Sequence, residues 1–135
     1  MTKKQCGSTS GQETQTDSKE LLLGIVEKPW GHERIIENND LYVVKEIFVR
    51  AHQKLSLQYH NRKIETLFLA AGDGFIISKE GGRLTFFRPH TMVPKFIGRK
   101  MVHRVGAGGH DALFVEVSTT ELDDVVRLED NYGRA

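Results

Sequence analysis

The stretch Gln58-Tyr59-His60, followed by Glu65 and Gly72 and then by His103, decides the fold of this chain. Gln58 and His60 are two residues apart, so on a β-strand both side chains point to one face. Glu65 follows after a spacing that suits a short turn into the next strand. With His103, the set offers two nitrogen and two oxygen donors, which Zn, Mn, Fe, Co or Ni accept. The residues therefore predict a metal site made of Gln58, His60, Glu65 and His103.

The size and charge of the chain suit one compact domain. It has 135 residues, 39% of them hydrophobic and 27% charged, which is enough for one core and too few for two ordinary domains. Its 19 basic and 18 acidic residues leave a net charge of +1. No global field would then draw in nucleic acid or an anionic membrane, so basic residues must act locally.

The N-terminal residues carry no sign of export or of a membrane anchor. Cys6 is the only cysteine, so no intrachain disulfide is possible and a cytoplasmic location is expected. Leu21-Leu22-Leu23 is shorter than the roughly seven to fifteen apolar residues of a signal peptide. Residues 1–20 are almost free of apolar side chains, so we expect a flexible tail without a role for Cys6, followed by one domain over residues 21–135.

Short β-branched and aromatic runs separated by glycines begin at Val26 and are typical of an all-β domain, a sandwich or barrel. Gly72-Asp73-Gly74 and Glu80-Gly81-Gly82 predict two hairpin turns, because glycine accepts the positive φ that such turns need. Thr120 to Leu128 is predicted as a short helix or an extended arm. The predicted strands are Leu41 to Val49, Leu55 to Gln58, Glu65 to Ala71, Phe75 to Ser78, Arg83 to Phe87, Val102 to Val105 and Leu113 to Val117.

The pattern Gln58-x-His60-x4-Glu65-x6-Gly72, followed by His103, resembles the two-motif pattern of the cupin jelly rolls. Leu55-Ser56-Leu57-Gln58 is similar to the same place in the cupin domain of type II mannose-6-phosphate isomerases. The resemblance covers roughly Val26 to Arg134 and implies a single-domain cupin jelly-roll β-barrel with a short C-terminal helix or arm. Further matching motifs are Glu27-Lys28-Pro29-Trp30-Gly31, Val115-Glu116-Val117, Asp123 to Arg127 and Glu129 to Arg134.

The resemblance implies a metal-dependent isomerase of a phosphorylated sugar, in which one divalent ion, preferably Zn, stabilises an enediolate. A buried lysine with a lowered pKa could shuttle the proton, although the base stays open. The expected partners are a small-molecule sugar phosphate and a second copy of the chain, because exposed sheet edges invite pairing. The expected catalytic residues are Lys63, Arg104 and Glu116, and the expected substrate-binding residues are Arg62, Lys63, Lys100 and Arg127.

The residues around the expected ligands depart from the family pattern. The family's second histidine is Arg62, its arginine is Lys63, and the histidine and tryptophan after the glutamate are Thr66 and Leu67. Gly98-Arg99-Lys100 replaces the Pro-x-Gly before the last histidine. These changes favour an alternative, a non-catalytic cupin that binds a sugar or small anion. An oxygen-activating or lyase cupin is disfavoured because such proteins commonly use histidine-rich sets.

Overall fold

The computed structural model describes residues 24–135, which form one antiparallel sheet that curls into a half-barrel. This part is all-β with an extended C-terminal arm, which confirms the predicted fold class. None of its segments is a helix of the length and hydropathy needed to cross a membrane. The predicted tail and Cys6 lie outside the described residues. The strands are β1 (Ile25–Lys28), β2 (Gly31–Asn38), β3 (Val43–Val49), β4 (Leu57–Tyr59), β5 (Glu65–Glu80), β6 (Arg83–Phe87), β7 (Lys95–Ile97), β8 (His103–Ser118) and β9 (Val126–Glu129).

The two longest strands, β5 and β8, pair along most of their 16 residues and connect the two halves of the curled sheet. The C-terminal half of β8 pairs with β3, whereas its first residue, His103, pairs with Gln58 of β4. The strand order is β1-β2-β3-β8-β4-β9, and β5 joins β8 to β6 and β7. This topology brings residues from β4, β5 and β8 to one inner face.

The inner face carries the hydrophobic core because side chains alternate between the two faces of each strand. On β5, Leu67 and Leu69 are buried while Phe68 between them is partly exposed. Phe114 of β8 and Trp30 complete the same cluster. Burial of each such side chain stabilises the fold by about 1.5–3 kcal/mol. The polar site residues described below lie at one side of this core.

The predicted hairpin turn at Gly72-Asp73-Gly74 is wrong, because β5 runs without reversal from Glu65 to Glu80. The pairing register with β8 shifts at these glycines, so they mark a bulge where a long strand bends. Residues 103–118 are likewise one strand, although two separate strands were predicted there. The turn at Gly81 and Gly82 is confirmed, since it joins β5 to β6.

Gly72→Ala should lower the free energy of unfolding by roughly 2–4 kcal/mol, because alanine is strained at positive φ and clashes here. The φ of Gly72 is +89°, and a Cβ would lie 2.0 Å from the carbonyl oxygen of Asp111. Gly109→Ala is the control, since a Cβ there meets nothing within 4 Å. Urea unfolding of both variants checks the prediction, and equal midpoints for the two would contradict it.

Candidate metal centre

His60, Glu65 and His103 meet on the inner face with all three side chains buried. Nε2 of His60 lies 3.1 Å from Oε2 of Glu65, and Nε2 of His103 lies 3.5 Å from Oε1 of the same carboxylate. In the described part of the chain, this is the one group of at least three His, Cys, Asp or Glu side chains whose ligand atoms all lie within 4.8 Å of one another. The structure therefore brings together three of the predicted ligands, Glu65 of β5, His103 of β8 and His60, which follows β4.

The other ring nitrogen of each histidine is held by a backbone carbonyl. Nδ1 of His60 lies 2.6 Å from the carbonyl oxygen of Asp124, and Nδ1 of His103 lies 2.9 Å from that of Met101. A carbonyl oxygen only accepts hydrogen bonds, so each Nδ1 carries a proton and donates it. This arrangement leaves each Nε2 of a neutral ring as a lone-pair donor, which is how metal-binding histidines are oriented.

The buried atoms of this group fit a cation. Among residues 24–135, Nε2 of His60 has no hydrogen-bond partner, and the cation nearest to Oε2 of Glu65 is the Lys63 ammonium at 3.1 Å. Two acceptor atoms 3.1 Å apart repel each other unless a proton or a metal ion lies between them. The donor set of two imidazoles and a carboxylate suits a divalent transition metal. The three residues could therefore hold such an ion.

Lys63 and Glu116 form a buried charge cluster with Glu65. Nζ of Lys63 lies 3.1 Å from a carboxylate oxygen of each glutamate. Burial disfavours the ammonium form, but the charges of Glu116 and Glu65 outweigh it and raise the pKa of Lys63 above its usual range. Burial and the charge of Glu65 raise the pKa of Glu116, and Lys63 offsets part of this rise. The structure therefore gives the opposite of the lowered lysine pKa that the proton-shuttle hypothesis requires.

Glu65 stays ionised in this buried setting. Burial would raise its pKa, but the neighbouring imidazoles of His103 and His60, together with the charge of Lys63, hold the pKa of Glu65 well below its usual range. An ionised carboxylate is the form that ligates a metal. The electrostatics of the cluster thus keep Glu65 in its ligand form.

Asp124 fixes the loop between β4 and β5. Its carboxylate accepts hydrogen bonds from the backbone N–H groups of Asn61, Arg62 and Lys63, at 3.0, 2.6 and 2.8 Å. These bonds, led by those from Arg62 and Lys63, lower the pKa of Asp124 to about 2. Asp124 therefore orders the loop with its side chain and orients His60 with its carbonyl oxygen.

Asp124→Ala should weaken metal affinity by about 10–100-fold, the usual effect of losing an outer-shell contact. The substitution removes the three loop hydrogen bonds and leaves His60, Glu65 and His103 in place. Asp123→Ala, an exposed neighbour, is the control. Competition with a chromogenic chelator measures both affinities. Identical affinities in the two variants would show that metal binding does not depend on the hydrogen bonds between the Asp124 carboxylate and the loop.

A polar pocket of about 110 Å³ opens beside His60. Five of its lining side chains are cationic and three are acidic, so positive charge is in excess. Neither Lys28 nor Arg127 makes an ion pair with any residue in the range 24–135, and Nε of Arg127 is buried there without a hydrogen-bond partner. The pocket therefore offers two cations to a ligand. The charged lining residues are Lys28, Lys45, Lys63, Arg127, Arg134, Glu33, Glu116 and Asp124.

The other sequence-predicted site residues lie in different surroundings. Gln58 lines the pocket, but its Oε1 accepts a 2.6 Å hydrogen bond from the Ser56 hydroxyl, so its role as a fourth ligand stays a prediction. Arg104 is buried and donates from Nε to the Leu55 carbonyl oxygen at 2.7 Å. It lines a cavity of about 10 Å³ shared with Gln58 and Glu116. Arg62 and Lys100 are exposed and do not line the pocket.

The sequence reasoning did not place Lys28, Asp124 or Arg134 at the site. Lys28 ends β1, and Asp124 and Arg134 belong to the C-terminal arm, which folds back over the pocket. All three lie in the entry and closing motifs that carried the resemblance. The charged residues in those motifs could have indicated that the motifs line the site.

A family model and several known sequences match most of this chain. A family model described as mannose-6-phosphate isomerase C-terminal matches residues 15–130. The xanthan biosynthesis protein XanB of Xanthomonas campestris is 31% identical over 113 residues, which are 81% of this chain and 23% of that protein. The mannose-1-phosphate guanylyltransferase ManC of Salmonella typhimurium is 33% identical over the same shares of the two chains. The chain thus spans about a quarter of the length of these relatives.

Solved structures with the same fold are cupins. The capsular polysaccharide assembling protein CapF of Staphylococcus aureus has a TM-score of 0.70 at 15% identity, over 78% of this chain and 34% of that one. Bacillus subtilis oxalate decarboxylase, which has Mn(II) centres, has a TM-score of 0.69 at 17% identity, over 80% of this chain and 31% of that one. At such identities the likeness establishes the jelly-roll fold alone.

The expected sugar-phosphate isomerase activity is wrong for this chain. The named relatives are mannose-1-phosphate guanylyltransferases and a xanthan biosynthesis protein, and none of these is named a sugar-phosphate isomerase. The structure agrees with this correction in one respect. The Lys63 ammonium is ion-paired with two carboxylates and its pKa is raised, which is the opposite of what a proton-shuttling lysine requires. The cupin fold and the candidate metal ligands stand independently of that activity.

Proposed function

Because this chain belongs to the mannose-6-phosphate isomerase C-terminal family of cupins, we propose that it is a metal-dependent binding domain for a small anionic carbohydrate. One observation carries the proposal, namely the buried group of His60, Glu65 and His103 beside a pocket that contains Lys28 and Arg127, two cations without an ion-pair partner among residues 24–135. When bound, the metal would supply Lewis-acid attraction for hydroxyl or carbonyl oxygens of the ligand.

The proposed ligand is anionic because of the cations that the pocket leaves free. Lys63 is engaged by Glu65 and Glu116, and Lys45 by Glu33 at 3.2 Å. Arg134 is paired with Asp130. Lys28 and Arg127 remain to hold a phosphate or carboxylate group, for which the planar guanidinium fork of Arg127 is suited. The ligand is therefore expected to bind with its charged group toward the arm and β1.

Both the polar lining of the pocket and the names of the relatives support a carbohydrate as the ligand. The lining residues are largely polar, with Gln58 and Lys63 supplying donors and Glu116 an acceptor for hydroxyl groups. The relatives are named for xanthan and alginate biosynthesis and for transfer to mannose 1-phosphate. For the metal we propose Zn first and Mn second, since both accept imidazole and carboxylate ligands.

Titration calorimetry with mannose 1-phosphate and mannose tests this proposal. We expect the metal-loaded chain to bind the phosphorylated sugar, and the metal-stripped chain to bind it at least about tenfold more weakly. Arg127→Gln should weaken binding of mannose 1-phosphate by about 10–100-fold, the worth of a charged hydrogen bond, and leave mannose unaffected. Lys100→Gln, an exposed cation outside the pocket, is the matched control. Equal binding by loaded and stripped protein would refute the metal-dependent function.

A further inference from the structure

Two turns next to the pocket are tied together by a short backbone hydrogen bond. The N–H of Lys100 donates to the carbonyl oxygen of His60 at 2.6 Å. Residues 60–63 belong to the connection between β4 and β5, and His60 lines the pocket. Residues 98–101 belong to the connection between β7 and β8, and β8 begins at His103. The two turns therefore lie side by side at the metal centre.

Lys100 has a backbone conformation that a lysine rarely adopts. Its φ is +60°, in the left-handed region. The N–H of Met101 donates to the carbonyl oxygen of Gly98 at 3.2 Å, which makes residues 98–101 a β-turn. A positive φ at the third residue is the pattern of a type II turn, which normally has glycine there. Backbone strain of this kind is concentrated at functional sites, so the lysine side chain is a candidate for a functional role.

Three exposed cations lie on these two turns, namely Arg62, Arg99 and Lys100, which we call the cationic rim. None of the three forms an ion pair with a residue in the described part of the chain. Because the net charge of the chain is only +1, the rim is a local concentration of charge and not part of a generally basic surface. An anionic group that approaches these turns is attracted by all three cations.

The pocket is too small to enclose a whole carbohydrate ligand together with its charged group. Its volume is about 110 Å³, whereas pockets that enclose small-molecule ligands measure about 300–1,000 Å³. The rest of the ligand then lies outside the pocket. Residues 60–63 border the pocket, with Lys63 among its lining residues and Arg62 exposed beside it. A ligand that extends past this border meets the cationic rim.

We propose that the cationic rim binds the acidic units of an anionic oligosaccharide whose terminal unit occupies the pocket. This inference rests on the proposed function, because it extends the ligand of the same site. Carboxylates on successive sugar units suit the rim, since the guanidinium groups of Arg62 and Arg99 can each bind one through two parallel hydrogen bonds. A single sugar occupies the pocket alone, so its affinity should not depend on the rim.

Titration calorimetry of the metal-loaded chain with mannuronate, its linear trimer and neutral mannotriose tests the proposal. The trimer should bind about tenfold more tightly than the monomer, and mannotriose should show no such gain over mannose. Arg62→Gln, Arg99→Gln and Lys100→Gln combined in one chain should abolish the gain and leave the affinity for the monomer unchanged. Arg50→Gln replaces an exposed cation away from both turns and should retain the gain.

Two results would overturn the cationic rim. Equal affinities for monomer and trimer would do so while leaving metal-dependent binding of the monomer intact, so this failure differs from a failure of the proposed function. A peptide of three glutamates that binds as tightly as the trimer would also do so, because the rim would then attract any polyanion.

Lys100→Gly separates the charge of this residue from its backbone strain. Glycine adopts a positive φ without strain, so the urea midpoint of unfolding should rise. The affinity for the trimer should fall by about 2–5-fold, the worth of one exposed ion pair. Lys100→Gln keeps the strained backbone and should lower the affinity equally without raising the midpoint. A Lys100→Gly chain that binds the trimer as tightly as wild type would overturn the role of this lysine in the rim.

Discussion

His103→Ala should reduce bound divalent metal from about one ion per chain to almost none, a larger loss than the roughly 10–100-fold effect of an outer-shell change. The substitution leaves Glu65 and one imidazole, that of His60, at the centre. It removes the imidazole whose Nε2 lies 3.5 Å from Oε1 of Glu65, and with it one of the three donors of the group. His60→Ala should act alike, for the same reason.

Elemental analysis after identical metal loading and dialysis measures the loss. His110→Ala is the matched control, since this exposed histidine lies on the same strand outside the centre. Thermal unfolding gives a second readout, because ligand at 100 times its dissociation constant adds about 2.7 kcal/mol to stability in a protein that binds it. A folded His103→Ala chain that retains a full equivalent of metal would refute the assignment. Gln58→Leu then decides whether the amide is a fourth ligand.

The proximity of His60 and Glu65 could be predicted from the sequence because their spacing is set by local geometry. His60 and Glu65 flank one short loop, so their separation in the chain limits their separation in space. His103 was predicted as the second imidazole of the donor set, and the pairing of β4 with β8 places it next to Gln58. Burial alternates along most of β5 and along the C-terminal half of β8, as expected for strands with one face on the core.

The bend in β5 could not be predicted, because glycine is compatible with a turn and with a bulge. At Gly81 the chain reverses and pairs with β6, whereas at Gly72 it continues and pairs with β8. The difference lies in the partner strand, since Gly72 pairs with Ala112, forty residues further along the chain. The short strands β7 and β9 also pair with distant strands and were missed for the same reason, whereas β1 and β2 were missed although they pair with each other.

The direction of the pKa shift of Lys63 could also not be predicted from its neighbours in the sequence. Burial alone suggested a lowered pKa for Lys63, and Glu65 two residues away was visible in the sequence. The second carboxylate, Glu116, comes from β8, 53 residues later, and reverses the direction of the shift. Whether a buried lysine is a base or a fixed cation thus depends on tertiary contacts.

Lys63→Met should destabilise the metal-free protein by about 3 kcal/mol or more at neutral pH, since removing one partner of a buried ion pair leaves an uncompensated charge. Without the ammonium, Glu65 and Glu116 face each other in a buried site. Lys63→Met combined with Glu116→Gln should recover part of the loss, because the amide carries no charge. Lys100→Met, at an exposed position, should stay within about 0.5 kcal/mol of wild type.

The loss caused by Lys63→Met should shrink as the pH falls. Burial and Glu65 already raise the folded-state pKa of Glu116, and loss of Lys63 raises it further. Glu116 then binds its proton more tightly in the folded state than in the unfolded state. Protonation of Glu116 therefore stabilises the folded variant below the unfolded-state pKa, and this stabilisation is lost as the pH rises through the folded-state pKa. Urea unfolding at about pH 5 and pH 7 measures the difference. An equal loss at both values would mean that Glu116 stays ionised without its lysine, and that the two carboxylates are held apart by something other than Lys63.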